Sequence, residues 1–175
     1  MTEAWRMVAR SHGGPEVITC ENFDPGDPGE GEVLIEQHAV GLNFIDTYYR
    51  SGLYHAPLPI LLGSEGAGHV VAVGPGVSRF AVGDKVGCVS GLGAYATHRI
   101  VPADKAVKIP DAVSLDDAAA IMLKGMTACY LAEDSIALQA GRGGPGGGGA
   151  WGGRSGVGPP APGQGGVGVR PLGGG

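Results

Sequence analysis

Along much of the chain, apolar residues recur at every second position in short runs, the spacing of half-buried strands. Residues 4–10 and 17–23 form two such runs, joined through Gly13, Gly14 and Pro15. Residues 24–31 are all Asp, Glu, Pro or Gly, which is turn chemistry from end to end. Residues 32–40 then alternate, with Val33, Ile35 and Gln37 on one face and Leu34, Glu36 and His38 on the other. Further runs over 68–73, 85–89, 95–101 and 105–109 are each bounded by Gly, Pro or Asp. Many short strands closely punctuated by turns predict a mainly β domain, a barrel or sandwich, rather than βαβ units.

Two segments carry helix signals. Asn43 is placed to cap a helix over 44–50 that Gly52 stops. Ser114 stands three residues before Asp117, the spacing of a capping box, and residues 118–133 are rich in Ala, Leu and Met. Gly125 inside that stretch is expected to break it in two. After Asp134 the pattern dissolves. Composition explains why: of 35 glycines and 13 prolines in the chain, 18 and 5 fall within 141–175, which holds no Asp, Glu, Lys, Phe or Tyr. Such a segment buries too little apolar surface to offset the entropy of ordering it. The expected organisation is one folded domain over 1–139 and a disordered Gly/Pro-rich tail over 140–175.

Charge and cysteines narrow the function classes. The net charge of −5 includes three tail arginines, so the folded body stands at −8. A body that acidic offers no basic patch to offset phosphate repulsion, which argues against nucleic-acid binding. Cys20, Cys88 and Cys129 are odd in number and contain no CxxC pair, as in a reducing compartment. No signal-peptide core and no apolar run near the roughly 20 residues of a membrane span is found. The expectation is a soluble, cytoplasmic protein with no membrane partner.

From Gly41 the motif GLNFIDTYYRSGLY, from Leu62 the motif LGSEGAGHVVAVGPGV, then GDKV from Gly83 and AAAIMLKGMT from Ala118 stand in order. Together they resemble the zeta-crystallin-like NADPH:quinone oxidoreductase branch of the medium-chain dehydrogenase/reductase family, from about His12 to Gln139. The resemblance implies a GroES-like, partly open β-barrel, the catalytic half of a reductase whose separate Rossmann domain holds NADPH. It implies hydride transfer to a quinone or other α,β-unsaturated carbonyl, with a homodimer usual in the family. By the same resemblance Phe44, Ile45, Asp46, Thr47 and Tyr48 approach the nicotinamide end of the cofactor. Thr127 and Tyr130 match positions on a helix entering the cleft, and Asn43 and Tyr54 match polar groups facing the substrate. An amide or a phenol suits this chemistry, because hydride transfer needs a donor for the developing oxyanion rather than a metal.

The residues themselves leave plainer readings open. Asn43 is also a helix cap, Asp46 reads as a solvated helix residue, and Tyr54 before Pro57 reads equally as a loop anchor. Tyr48 and Tyr49 are adjacent, so one of them belongs to the core. Thr127 and Tyr130 share a helix face that suits ordinary packing. Glu65 reads as a structural carboxylate or a participant. Zinc enzymes of the superfamily place Cys at the position of Asn43 and His at that of Ser64, and an amide and a hydroxyl are poor substitutes. The expectation is a zinc-independent site.

The family's cofactor domain is expected to begin near Gln139, but the sequence continues in glycine. Gly163, Gly165 and Gly168 satisfy GxGxxG, yet prolines precede the match and Pro171 follows it, so the strand and helix that fingerprint needs are missing. A GC-rich gene read one base out of frame would produce this composition, and the resulting expectation is an inactive, truncated reductase. The alternative is a non-enzymatic barrel module with a flexible tail, acting through contacts around Met122, Met126 and Tyr130.

Overall fold

The computed structural model describes residues 4–135 and 169–171. The described residues fall into two compact units, one of 4–122 with 169–171, the other starting at Leu123. The first unit contains nine strands in two sheets. β1 (Trp5–Ala9) lies between β2 (Ile18–Asn22) and β4 (Ile60–Leu61), giving the order β2-β1-β4. The larger sheet runs β7-β3-β5-β6-β8, from β3 (Glu32–Gly41), β5 (Glu65–Val73), β6 (Lys85–Cys88), β7 (His98–Pro102) and β8 (Ala106–Lys108). All of its pairs are antiparallel, and the sheet curls into a half-barrel. The period-2 runs anticipate every strand except the two-residue β4 and β9 (Val169–Pro171), and β5 begins at Glu65 rather than at 68.

β3 is the organising strand. Val33, Ile35 and Gln37 are buried as their alternation predicts, while Glu36 and His38 are exposed. Leu34, on the second face, is buried as well. The register against β5 shifts between Gln37 and Ala39, where the extra residue forms a bulge. Before it, Val33 and Ile35 join Val70, Phe80, Val86, Cys88 and Val101 in one core. After it, Ala39 packs with Ala67, Ile109, Leu115, Ala118 and Ala119 in a second. A third core gathers Ala9, Ala56, Ile60 and Leu62, with Tyr49 and Tyr95 against it.

The two helices follow their signals with one correction. α1 (Phe44–Ser51) starts after Asn43 in extended conformation and ends at Gly52, whose φ of 82° is the left-handed stop. α2 (Leu115–Cys129) is capped by Ser114, whose Oγ accepts the Asp117 N–H at 3.0 Å. Gly125 does not break it: the helix continues to Cys129 and a π-helical turn follows over Tyr130–Ser135. The lost side chain costs helix propensity, but the flanking Ala, Leu, Met and Lys residues propagate the turn. Among the described residues no helix is long and apolar enough to cross a membrane.

Most of the expected tail, 140–175, lies outside the described residues. Of it, only 169–171 are described: β9 (Val169–Pro171) pairs antiparallel with β3.

Candidate functional site

The start of α1 is held by a buried polar cluster that converges on Asp46. Asp46 is only 6% exposed, and its carboxylate accepts three hydrogen bonds. Ser64 Oγ donates to Oδ1 at 2.5 Å. Tyr95 Oη donates to Oδ2 at 2.6 Å, and the Asn43 backbone N–H donates to the same oxygen at 3.0 Å. The last bond is the reciprocal arm of a capping box, with Asp46 at the third helical position. Burial first, then the hydrogen bond and charge of Asp46, push the Tyr95 phenol far above its ordinary range and keep it a donor.

Asn43 joins this cluster to a second carboxylate. Its side-chain Nδ2 donates to Glu65 Oε1 at 2.8 Å, and Glu65 is fully buried. Gly41, two residues before Asn43, makes room for that carboxylate, since a Cβ there would collide with Glu65 and with the Ala119 carbonyl oxygen. The opposite wall depends on Gly63. Its φ is +93°, and a Cβ would run into the ring and backbone nitrogen of Tyr95. The closeness is what lets Ala94 N–H donate to Gly63 O at 3.1 Å and Tyr95 N–H to Leu62 O at 2.8 Å.

The loop carrying Tyr95 is anchored from two sides. Gln37 Nε2 donates to Ala94 O at 2.5 Å, which accounts for a buried amide on β3. Arg99, buried on β7, donates through Nη2 to the carbonyls of Ser90, Gly91 and Leu92. Burial pulls the Arg99 guanidinium below its usual pKa, opposed by neighbouring Cys88. The same burial raises the Cys88 thiol.

The outer face of α1 is apolar and open. Phe44 is 81% exposed, and Leu42, Tyr48, Leu53, Tyr54 and Leu58 in the same stretch of chain are exposed as well. Tyr54 packs against Tyr48 and Tyr49, with ring centroids 5.3 and 5.7 Å away. Tyr49 turns into the third core, so it is the core member of the adjacent pair. The structure thus joins Tyr48 and Tyr54 by a ring contact, with Asn43 and Phe44 at the start of the same helix.

Other expected site residues are placed differently. Asp46 is neither solvated nor turned outward, because its carboxylate is taken up by three donors inside the fold. Ile45 is half-buried, and Thr47 returns its hydroxyl to the Phe44 carbonyl at 2.7 Å. Thr127 and Tyr130 belong to the second unit. There Thr127 Oγ1 donates to Leu123 O at 2.8 Å, and Tyr130 is exposed. Ser64, Glu65 and Tyr95 are the cluster members that pattern reading did not assign to the site. The available signal was Ser64, standing where zinc relatives carry a ligand.

Residues 29–111 match the alcohol dehydrogenase GroES-like domain. The chain is 50% identical over 140 residues to a quinone oxidoreductase of Pseudomonas aeruginosa, covering 79% of this chain and 43% of that protein. The chain thus carries a GroES-like domain of the alcohol dehydrogenase type, and that Pseudomonas relative is a quinone oxidoreductase. A 2-haloacrylate reductase of a Burkholderia species is 44% identical over 142 residues, covering 77% of this chain and 42% of the relative. The crystal structure of Escherichia coli quinone oxidoreductase in complex with NADPH superposes with a TM-score of 0.74 at 48% identity. That match covers 75% of this chain and 41% of the solved one. The chain therefore spans about two fifths of the length of the relatives it matches.

Proposed function

We propose that this GroES-like domain is the substrate side of an NADPH-dependent reductase that transfers hydride to a quinone or another α,β-unsaturated carbonyl. The observation that carries the reading is the Asp46 cluster: it fixes the start of α1 from inside and leaves Phe44, Tyr48 and Tyr54 facing outward. The Pseudomonas relative is a quinone oxidoreductase by name and the Burkholderia relative a 2-haloacrylate reductase, and a haloacrylate is an electron-poor alkene next to a carboxyl group. Both fit a flat, electrophilic substrate.

An exposed aromatic face suits the edge of a nicotinamide and of a quinone ring, and Phe44 and Tyr48 are the side chains placed for that contact. NADPH, when bound, supplies the hydride. The chain's own residues bind and orient the acceptor and stabilise the oxyanion that forms on it. Asn43 has two amide hydrogens and one is spent on Glu65, which fixes the direction of the other. We assign that second N–H and the Tyr54 phenol as the oxyanion donors, with solvent supplying the final proton. Glu65 and the Asp46 cluster act through Asn43 as positioning groups.

The reading is zinc-independent. Ser64 spends its hydroxyl on Asp46 and Asn43 its amide on Glu65, so the two positions that hold ligands in zinc relatives hold a hydrogen-bond network here. A reducing, cytoplasmic setting accords with three free cysteines. The 175-residue polypeptide by itself is inferred to turn over poorly, because its GxGxxG match has prolines before it and Pro171 after it, where a phosphate-binding fingerprint needs a strand and then a helix.

Two titrations test this. A water-soluble naphthoquinone, followed by amide NMR, is expected to shift signals at Asn43, Phe44 and Tyr54 and to leave the β6–β8 side unmoved. Fluorescence titration with NADPH is expected to show no saturation below ~1 mM. Quinone shifts clustered elsewhere on the barrel would sink the site assignment, and micromolar NADPH binding would sink the inference about the isolated chain.

A further inference from the structure

β3 has two edges, and only one is completed by its sheet neighbour. β5 follows β3 along the first edge from Val33 opposite Val73 to Gly41 opposite Glu65. Along the other, β7 pairs only from Glu32 opposite Pro102 to Glu36 opposite His98. The Gln37 N–H still reaches the Thr97 carbonyl at 2.8 Å, and there the neighbouring chain leaves. Residues 95–97 cross to the smaller sheet instead. Thr97 N–H donates to Trp5 O, Met7 N–H donates to Tyr95 O, and Ala96 bridges Arg6. The crossing opens a seam beside Ala39, Val40 and Gly41. A seam of this kind leaves backbone donors and acceptors seeking partners. The Ala-Val-Gly run also lacks the Lys, Pro or inward charge with which natural edges discourage pairing.

β9 lies in that seam. It runs antiparallel to β3, with Ala39 opposite Pro171, Val40 opposite Arg170 and Gly41 opposite Val169. Pro171 has no N–H to donate and stands at the end of the ladder, the place a sheet edge tolerates proline.

We propose that the seam beside Ala39–Gly41 is a strand-acceptor slot, and that residues 169–171 of the same chain are its occupant, shielding the edge from another copy. Recognition is by main chain, so the occupant needs an extended backbone rather than a particular side-chain pattern. That is how a segment with no core-forming composition finds a place in the fold. The slot ends at Gly41, two residues before Asn43, so whatever fills it borders the start of α1. This inference does not rest on the reductase reading. A three-residue ladder is weak, so occupancy is expected to be reversible.

Amide hydrogen exchange read by mass spectrometry tests the slot. Three forms are compared: the 175-residue chain, the chain ended after Gly168, and the full chain carrying Val169→Pro with Arg170→Pro. Exchange in a peptide covering 37–42 is expected to be about three- to tenfold faster in the last two forms. Peptides from β5 are expected to exchange alike in all three, showing that the barrel is intact. Equal exchange over 37–42 in all three forms would overturn the proposal. Protection that fades on dilution while light scattering reports a dimer would overturn it too, because the occupant would then be a second copy's strand.

Discussion

Tyr95 and Asp46 stand 49 residues apart in sequence and meet at 2.6 Å, the phenol donating to the carboxylate. The contact ties the start of α1 to the loop that crosses between the two sheets. Removing it leaves a buried carboxylate short of one donor. Tyr95→Phe keeps the ring and is expected to cost about 1.5–3 kcal/mol, the range for a lost hydrogen bond to a charged group. Urea denaturation of the variant checks this. A loss below about 0.5 kcal/mol would mean that solvent replaces the phenol at no cost.

The same pair sets an alkaline limit on stability. The folded-state pKa of Tyr95 is raised above its ordinary value of 10.0, mainly by burial and then by Asp46. A raised acid binds its proton more tightly in the folded state. Its contribution is fully present below pH 10.0 and is lost as pH rises toward the folded pKa. Unfolding free energy is therefore expected to fall with pH above 10.0, and Tyr95→Phe to flatten that limb relative to the wild type. A spectrophotometric titration gives an independent reading: of the five tyrosines, Tyr95 should ionise only as the chain unfolds.

Much of the fold was legible because its strands are local. Val33, Ile35 and Gln37 alternate with polar residues, and a two-fold period needs no knowledge of partners. β4 was not legible, since two residues carry no period and exist as a strand only by pairing with Val8 and Ala9. Asn43 was legible as a cap, and its tie to Glu65 was not, because that bond joins two elements 22 residues apart. Asp46 misled for a related reason. An aspartate on an eight-residue helix reads as solvated until Ser64 and Tyr95 arrive from elsewhere to surround it. Tyr95 looked like one more strand residue, and only the crossing of its loop toward β1 aims it at the site.

Gly63 and Gly83 both sit at φ +93°, and they separate backbone strain from crowding. At Gly83 nothing lies within 4 Å of where a Cβ would go. At Gly63 the Cβ would meet Tyr95. Gly83→Ala should therefore cost only the left-handed penalty, about 1–2 kcal/mol. Gly63→Ala should cost about 2–4 kcal/mol, because overpacking adds to it, and should shift the NMR signals of Tyr95. Equal costs at the two sites would show that the Tyr95 loop yields freely.

Asn43→Asp replaces a donor to Glu65 with a second carboxylate at 2.8 Å range. Position 43 is half-buried and Glu65 is fully buried, so the new carboxylate loses the hydrogen bond and faces a like charge. The variant is expected to be about 2–4 kcal/mol less stable than wild type at pH 7. A loss below about 0.5 kcal/mol, measured by urea denaturation, would mean that the bond from Asn43 to Glu65 does not hold the start of α1.

Gly125 sits inside α2, and no described atom outside its own helix lies within 4 Å of its missing Cβ. Its backbone is helical without a positive φ, so alanine fits without strain. Glycine there costs helix stability chiefly by enlarging the freedom of the unfolded chain. Gly125→Ala is expected to stabilise the protein by about 0.5–1 kcal/mol, provided that α2 melts together with the β-barrel. If the helix frays first, thermal unfolding of the barrel will not move, while amide exchange over 119–129 will slow. Loss of stability on substitution would mean that the glycine serves a close approach by another surface.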